Sequence, residues 1–180
     1  MGMLSSRVKN MSKDEIRNIA RKMRNIRNPI EEGIDVLRFM EHDLSKMYDD
    51  FSFVIVEDDE WQRYHSDKEA FTEFVDGYKQ IFLPEKTYYG AKSGECRARF
   101  TVAHEIAHVI LHTKNDCNHV YGRYEVEKYE NHYSCDPEFQ ANEFAAEFLC
   151  PIEGIRNMKI IEIQEKYGVS NMVARQQKRK

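Results

Sequence analysis

The chain has 180 residues and a net charge of −4, from 27 Lys and Arg against 31 Asp and Glu. At 41% hydrophobic and 32% charged it is globular with a polar surface, which excludes a disordered or fibrous chain. No apolar run approaches the ~20 residues of a membrane span, and the N-terminus lacks the apolar core of a signal peptide, so a cytoplasmic protein with four reduced cysteines is expected.

The charge is uneven along the chain. Residues 1–28 hold eight basic and two acidic residues, and residues 175–180 add four basic ones, so both ends are basic and the middle is acidic. In chain order, Ser12 and Glu15 form a capping box that opens a first helix with Ile16, Ile19, Ala20, Met23 and Ile26 on one face. Asn28-Pro29 ends it and starts a second helix, carried by Ile30, Ile34, Leu37, Met40, Leu44 and Met47. The period then changes, and residues 51–56 read as a strand. Ser66 and Glu69 form another capping box, which predicts a helix through Phe71, Phe74 and Val75. After the Asp76-Gly77 turn, residues 78–83 read as a second strand, stopped by Pro84, and Tyr88, Tyr89 and Gly90 as part of a loop. Residues 96–112 form a mostly apolar helix, 113–134 a polar Tyr-rich connection, and Asp136-Pro137 caps a further helix running to Leu149. Two short helices hinged at residues 167–170 finish the chain. The fold class is α+β, predominantly helical, divided into an N-terminal helical segment (1–49), a core (50–157) and a C-terminal helical appendage with a basic tail (158–180).

Chemistry concentrates at His104-Glu105-Ile106-Ala107-His108, an H-E-x-x-H pattern inside the apolar helix. Residues four apart share a helix face, about 5–6 Å apart, so two imidazoles can grip one ion. The intervening Glu105 can take a proton from water activated there. With 7 His in the chain the pattern is expected by chance only about 0.03 times. The flanking Val102, Ala103, Val109 and Ile110 bury it, and buried imidazoles need partners. A catalytic zinc site needs a third protein ligand. His112 lies about 12 Å up the axis from His104, out of reach of the same ion, and is expected to be structural or supporting. Glu138 on the next helix is the better ligand, although a first-turn carboxylate is also favoured by the helix dipole alone. Asn142 shares its face and can hold a ligand histidine by the ring's other nitrogen. Ala141 and Ala145 allow that helix a close approach, while Glu143 and Glu147 point elsewhere.

The block from Arg97 through Arg-Phe-Thr-Val-Ala-His-Glu-Ile-Ala-His to His112, and the block from Glu138 through Ala141-Asn142-Glu-Phe-Ala-Ala to Pro151, resemble the ImmA/IrrE family of metallopeptidases. The stretches Leu83-Pro-Glu and Tyr167-Gly-Val-Ser fit the same pattern, and Cys150 departs from it, where the family usually has Met. The resemblance implies a zincin-like domain with one Zn²⁺ held by His104, His108 and Glu138, and Glu105 as general base. It further implies a protein substrate, a helix-turn-helix repressor of a mobile element or stress response, whose cleavage releases transcription.

Three other readings accompany it. Cys117, His119, His132 and Cys135 can hold a second, structural metal, although their spacing matches no familiar finger and an exposed loop is the plainer expectation. Tyr88, Tyr89, His119 and His132 are candidate stabilisers of a tetrahedral intermediate. The C-terminal helix pair around Tyr167-Gly168-Val169-Ser170 resembles the turn of a helix-turn-helix, so the rival function is a DNA-binding regulator with a structural metal site. The acidic balance of the chain beyond residue 28 argues against direct nucleic-acid binding, and nothing suggests a membrane partner.

Overall fold

The computed structural model describes residues 8–26, 32–75, 77–112 and 132–180, without the side chains of residues 132 and 133. Helix α1 (Lys13–Arg24) begins as its capping box dictates: the Ser12 hydroxyl accepts from the Glu15 amide, and the Glu15 carboxylate accepts from the Ser12 amide at 2.8 Å. It buries Ile16 and Ala20 completely. The second helix, α2, starts later than its apolar periodicity suggests. It occupies residues 36–47, capped by Asp35 and wound with π-helical pitch at Phe39–Leu44. Ile34 stays outside it because its carbonyl is taken by the Arg99 guanidinium at 2.8 Å; Pro29 and Ile30 lie outside the described residues.

Three strands follow: β1 (Phe51–Val56), β2 (Phe71–Val75) and β3 (Tyr78–Pro84), with α3 (Asp58–Tyr64) between the first two. The order is β1-β3-β2, parallel between β1 and β3 and antiparallel between β2 and β3. The segment after Ser66 is therefore a strand, not the helix its capping box predicts. Glu69 spends its carboxylate on Arg97 and Thr101 of another helix instead of a local cap. The Phe71 ring stacks on Phe82 at 4.8 Å across the ladder, and cross-strand aromatic pairing favours the extended form. Residues 78–83 form the central strand, and β1 and β2 are the two edges.

The stretch with Tyr88, Tyr89 and Gly90, expected as a loop, is helix α4 (Glu85–Lys92). Gly90 serves packing here: a Cβ would come within 3.0 Å of the Ala98 Cβ on the next helix. That next helix, α5 (Cys96–Leu111), carries the H-E-x-x-H pattern and lies on the sheet. A short 3₁₀ turn (His132–Cys135) leads into α6 (Pro137–Leu149), capped by Asp136 with Pro137 in the first turn as the sequence indicates. Helices α5 and α6 meet through alanines: Ala103, Ala107, Ala141 and Ala145 are all fully buried. Helix α1 covers the far side of α6, where Glu143 accepts from Arg17 at 2.8 Å and Lys180 at 2.6 Å, and buried Glu147 accepts from Gln177 at 2.9 Å. The chain ends in α7 (Ile160–Tyr167) and α8 (Asn171–Lys178), whose Ile163, Tyr167, Val173 and Ala174 join the same core as Ile16 and Leu83. This is an α+β, predominantly helical, zincin-like fold with a small mixed sheet. No described helix is long and apolar enough to cross a membrane.

The turn between α7 and α8 hangs on Gly168, whose φ of 59° is left-handed. The Arg99 guanidinium donates to the carbonyls of Tyr167 and Gly168 at 2.9 and 2.7 Å. A Cβ at 168 would collide with that guanidinium. Gly168→Ala is expected to destabilise the fold by about 2–3 kcal/mol, measured by urea unfolding. Gly77→Ala, at φ 90° with open space around it, is expected to lose only the smaller backbone contribution.

Candidate metal centre

Helix α5 places His104 and His108 one turn apart at the floor of a cleft of about 780 Å³. The edge strand β2 forms one wall, with Phe71, Thr72 and Phe74, and the start of α6 forms the other, with Pro137, Glu138 and Asn142. The two Nε2 atoms face each other at 3.0 Å. Glu138 reaches both, with Oε2 3.1 Å from His104 Nε2 and Oε1 3.4 Å from His108 Nε2. These are the residues that spacing and helix phase bring forward in the sequence. Their ligand atoms lie within 4.8 Å of one another, and the group could hold a metal ion.

The outer ring nitrogens settle which way the lone pairs point. Gln140, fully buried, donates its amide to the carbonyls of Lys9 and Ser134 at 2.8 and 2.6 Å. Its Oε1 is therefore left to accept from His112 Nε2 at 3.1 Å. His112 Nδ1 then accepts, so His108 Nδ1, 3.0 Å away, donates to it. On the other ligand, His104 Nδ1 donates to Asn142 Oδ1 at 3.1 Å. Both Nε2 atoms are thereby left as acceptors aimed at one point. Two lone pairs 3.0 Å apart need positive charge between them, and a proton and a metal ion compete for the place. The donor set fits a divalent cation: two neutral imidazoles and a carboxylate, with room for one more ligand.

The charges respond accordingly. Burial opposes the charged form of His104, yet the hydrogen bond it donates to the Glu138 carboxylate when protonated and the field of Glu105 outweigh it, and its pKa moves up. Donation from His104 and His108 in their protonated form holds the Glu138 carboxyl far below the usual range. Burial pushes Glu105 up against the pull of His108 and a hydrogen bond from Thr72. Glu105 is 5% exposed and its carboxylate opens on the same cleft.

The other sequence candidates fall elsewhere. Tyr88 and Tyr89 sit on α4 and do not line the cleft. The Tyr88 hydroxyl donates to Glu41 at 2.7 Å and its pKa is pushed up to about 12 by that bond and by burial. Cys117 and His119 lie outside the described residues, as does the His132 side chain. Cys150 is a buried core residue whose thiol burial and Glu147 push up to about 12, and it stands about 18 Å along α6 from Glu138. Sequence reasoning missed Gln140 and Thr72. Gln140 carries a readable sign, an amide set between Phe139 and Ala141 and one turn before Phe144; Thr72 was hidden by the helical reading of its segment.

A helix bearing H-E-x-x-H, crossed by a second helix that supplies a carboxylate and flanked by an edge strand, is the site architecture of a zincin-like metallopeptidase. Residues 88–177 match the IrrE N-terminal-like domain of peptidase family M78, and the chain belongs to that family. No curated protein matches the chain.

Gln140→Leu breaks the relay at its origin without touching either imidazole. It is expected to weaken metal affinity about 10- to 100-fold, read by competition with a chromophoric chelator, with helical content by circular dichroism retained.

Proposed function

We propose that the chain is a zinc-dependent endopeptidase in which His104, His108 and Glu138 hold one Zn²⁺ and Glu105 is the general base and acid. The observation that carries this reading is the convergence of two acceptor Nε2 atoms and the Glu138 carboxylate beside a second, buried carboxylate in one cleft. A bound zinc ion supplies Lewis acidity, which brings the pKa of water toward ~7 and polarises a peptide carbonyl. Glu105 accepts the proton of the attacking water and delivers it to the leaving amine nitrogen. Its burial favours the neutral form, which makes it a stronger acceptor of that proton. Asn142 and the His112–Gln140 pair keep the two imidazoles in the binding tautomer.

The substrate is a protein segment in extended form, added along the open edge of β2 that walls the cleft. Such a segment must be unfolded or able to open locally. The resemblance of the two sequence blocks to ImmA/IrrE proteins supports a helix-turn-helix repressor as that substrate, with derepression of transcription as the outcome in the cytoplasm. Residues 50–157 carry the chemistry, with 1–49 and 158–180 bracing them. The burial of Ile163, Tyr167, Val173 and Ala174 in the common core supports the C-terminal pair as packing rather than as a DNA reader.

Glu105→Gln is expected to retain zinc and to lose cleavage about 10²- to 10⁴-fold, measured as metal content by mass spectrometry and as repressor cleavage on co-expression. Chelation abolishes cleavage and zinc restores it. A Glu105→Gln protein that cuts at the wild-type rate, or a protein without metal under zinc-replete conditions, sinks the peptidase mechanism. An intact repressor beside zinc-loaded, active enzyme sinks the repressor assignment alone.

A further inference from the structure

Arg97, Thr101 and Glu105 are spaced four apart and form one stripe along α5. The segment 69–72 runs beside that stripe and meets it rung by rung. Glu69 pairs with Arg97 and accepts from the Thr101 hydroxyl at 3.1 Å. Thr72 then meets Glu105: its Oγ1 is 2.7 Å from Oε2 and 3.3 Å from the Glu105 carbonyl oxygen. A hydroxyl has one proton, and the shorter, charge-assisted contact takes it. Among the described residues, Thr72 is the hydrogen-bonding side chain on this carboxylate.

The backbone just ahead of Thr72 is anchored in turn. The Trp61 indole donates to the Lys68 carbonyl at 2.9 Å and the Thr87 hydroxyl to the Glu69 carbonyl at 3.0 Å. On the sheet, Thr72 stands opposite Ile81 of the central strand, and Ile81 is fully buried. Thr72 also precedes the residues matched by the family, 88–177.

We propose that Thr72 is a positioning residue for the proton transfer. It pins one oxygen of Glu105 so that the other faces the attacking water. The proton passes from water to that second oxygen and from there to the leaving amine nitrogen. The Thr72 hydroxyl keeps its own proton throughout, because Oε2 accepts from it whether or not the carboxyl is protonated. Thr72 lies on the edge strand along which the substrate adds, so substrate seating and base alignment share one stretch of backbone. The proposal rests on Glu105 being the general base.

The test compares Thr72→Val, which keeps the shape and removes the hydroxyl, with Thr72→Ser, which keeps the hydroxyl. In zinc-loaded protein, Thr72→Val lowers kcat about 10- to 100-fold with KM and zinc content unchanged, and Thr72→Ser recovers to within a few-fold. In the Glu105→Gln background the Val substitution causes no further loss. The readout apart from activity is the Glu105 carboxylate band, isolated as the infrared difference between the parent chain and its Glu105→Gln variant. Removing the hydroxyl shifts that band and Thr72→Ser does not. Thr72→Ala reads the same quantities if the valine protein does not fold. An unshifted band overturns the proposal, as does a Val variant with wild-type kcat while Glu105→Gln is inactive. A Val variant that loses zinc or melts early while its folded, loaded fraction cleaves normally also overturns it, since that marks a structural role. Glu105→Gln cleaving at the wild-type rate refutes the general-base reading instead.

Discussion

Two imidazole nitrogens stand 3.0 Å apart at the floor of the cleft with their lone pairs toward each other. Helix phase sets their spacing, and the packing of α5 on α6 brings Glu138 to both of them. Ala103 and Ala107 on one helix and Ala141 and Ala145 on the other are fully buried, and side chains this small let two helices come close. A larger side chain at any of the four would part the helices and carry Glu138 away from the histidines. The site is therefore a property of an apolar interface that contains none of the reactive groups.

Helix α6 works on two sides at once. One side presents Glu138 and Asn142 to the cleft and Gln140 to His112. The opposite side sends Glu143 and Glu147 to Arg17, Lys180 and Gln177. A helix with buried carboxylates on its back needs cationic partners for them, and the basic α1 supplies Arg17 to Glu143 and Arg21 to Glu147. The uneven charge of the sequence thus has a local purpose: positive residues from both ends of the chain meet acidic residues of the middle. Such pairs between partly buried groups fix the rotation of α6 about its axis, and with it the direction in which Glu138 points.

What was legible in the sequence was local. Ser12 with Glu15, and Asp136 with Pro137, announce helix starts because caps act within one turn. His104, Glu105 and His108 are legible because helical phase is fixed by the backbone alone, and Glu138 with Asn142 follow by the same phase. The misreadings came where a local pattern has two solutions. Ser66 and Glu69 have capping spacing, but Glu69 found Arg97 and Thr101, far off in sequence, and the segment became β2. Tyr88-Tyr89-Gly90 looks like a loop until Ala98 is seen to need the missing Cβ. Strand order was unreadable for a related reason. Residues 78–83 take the central place because β1 pairs with them in parallel across an intervening helix and strand, and nothing local encodes that crossover. Gln140 escaped because its role depends on the carbonyls of Lys9 and Ser134, which belong to segments on either side of the long connection.

Glu143 has one more consequence. Its Oε1 accepts from Arg17 near one end of the described chain and from Lys180 at the other. Helix α1 and the end of the described chain thus meet on the back of α6, on one carboxylate oxygen. A meeting of this kind favours a circular permutant of the described residues: a linker from Lys180 to Val8, with the chain opened at the exposed Gly77 turn, keeps α5, α6 and their shared carboxylate contacts in place.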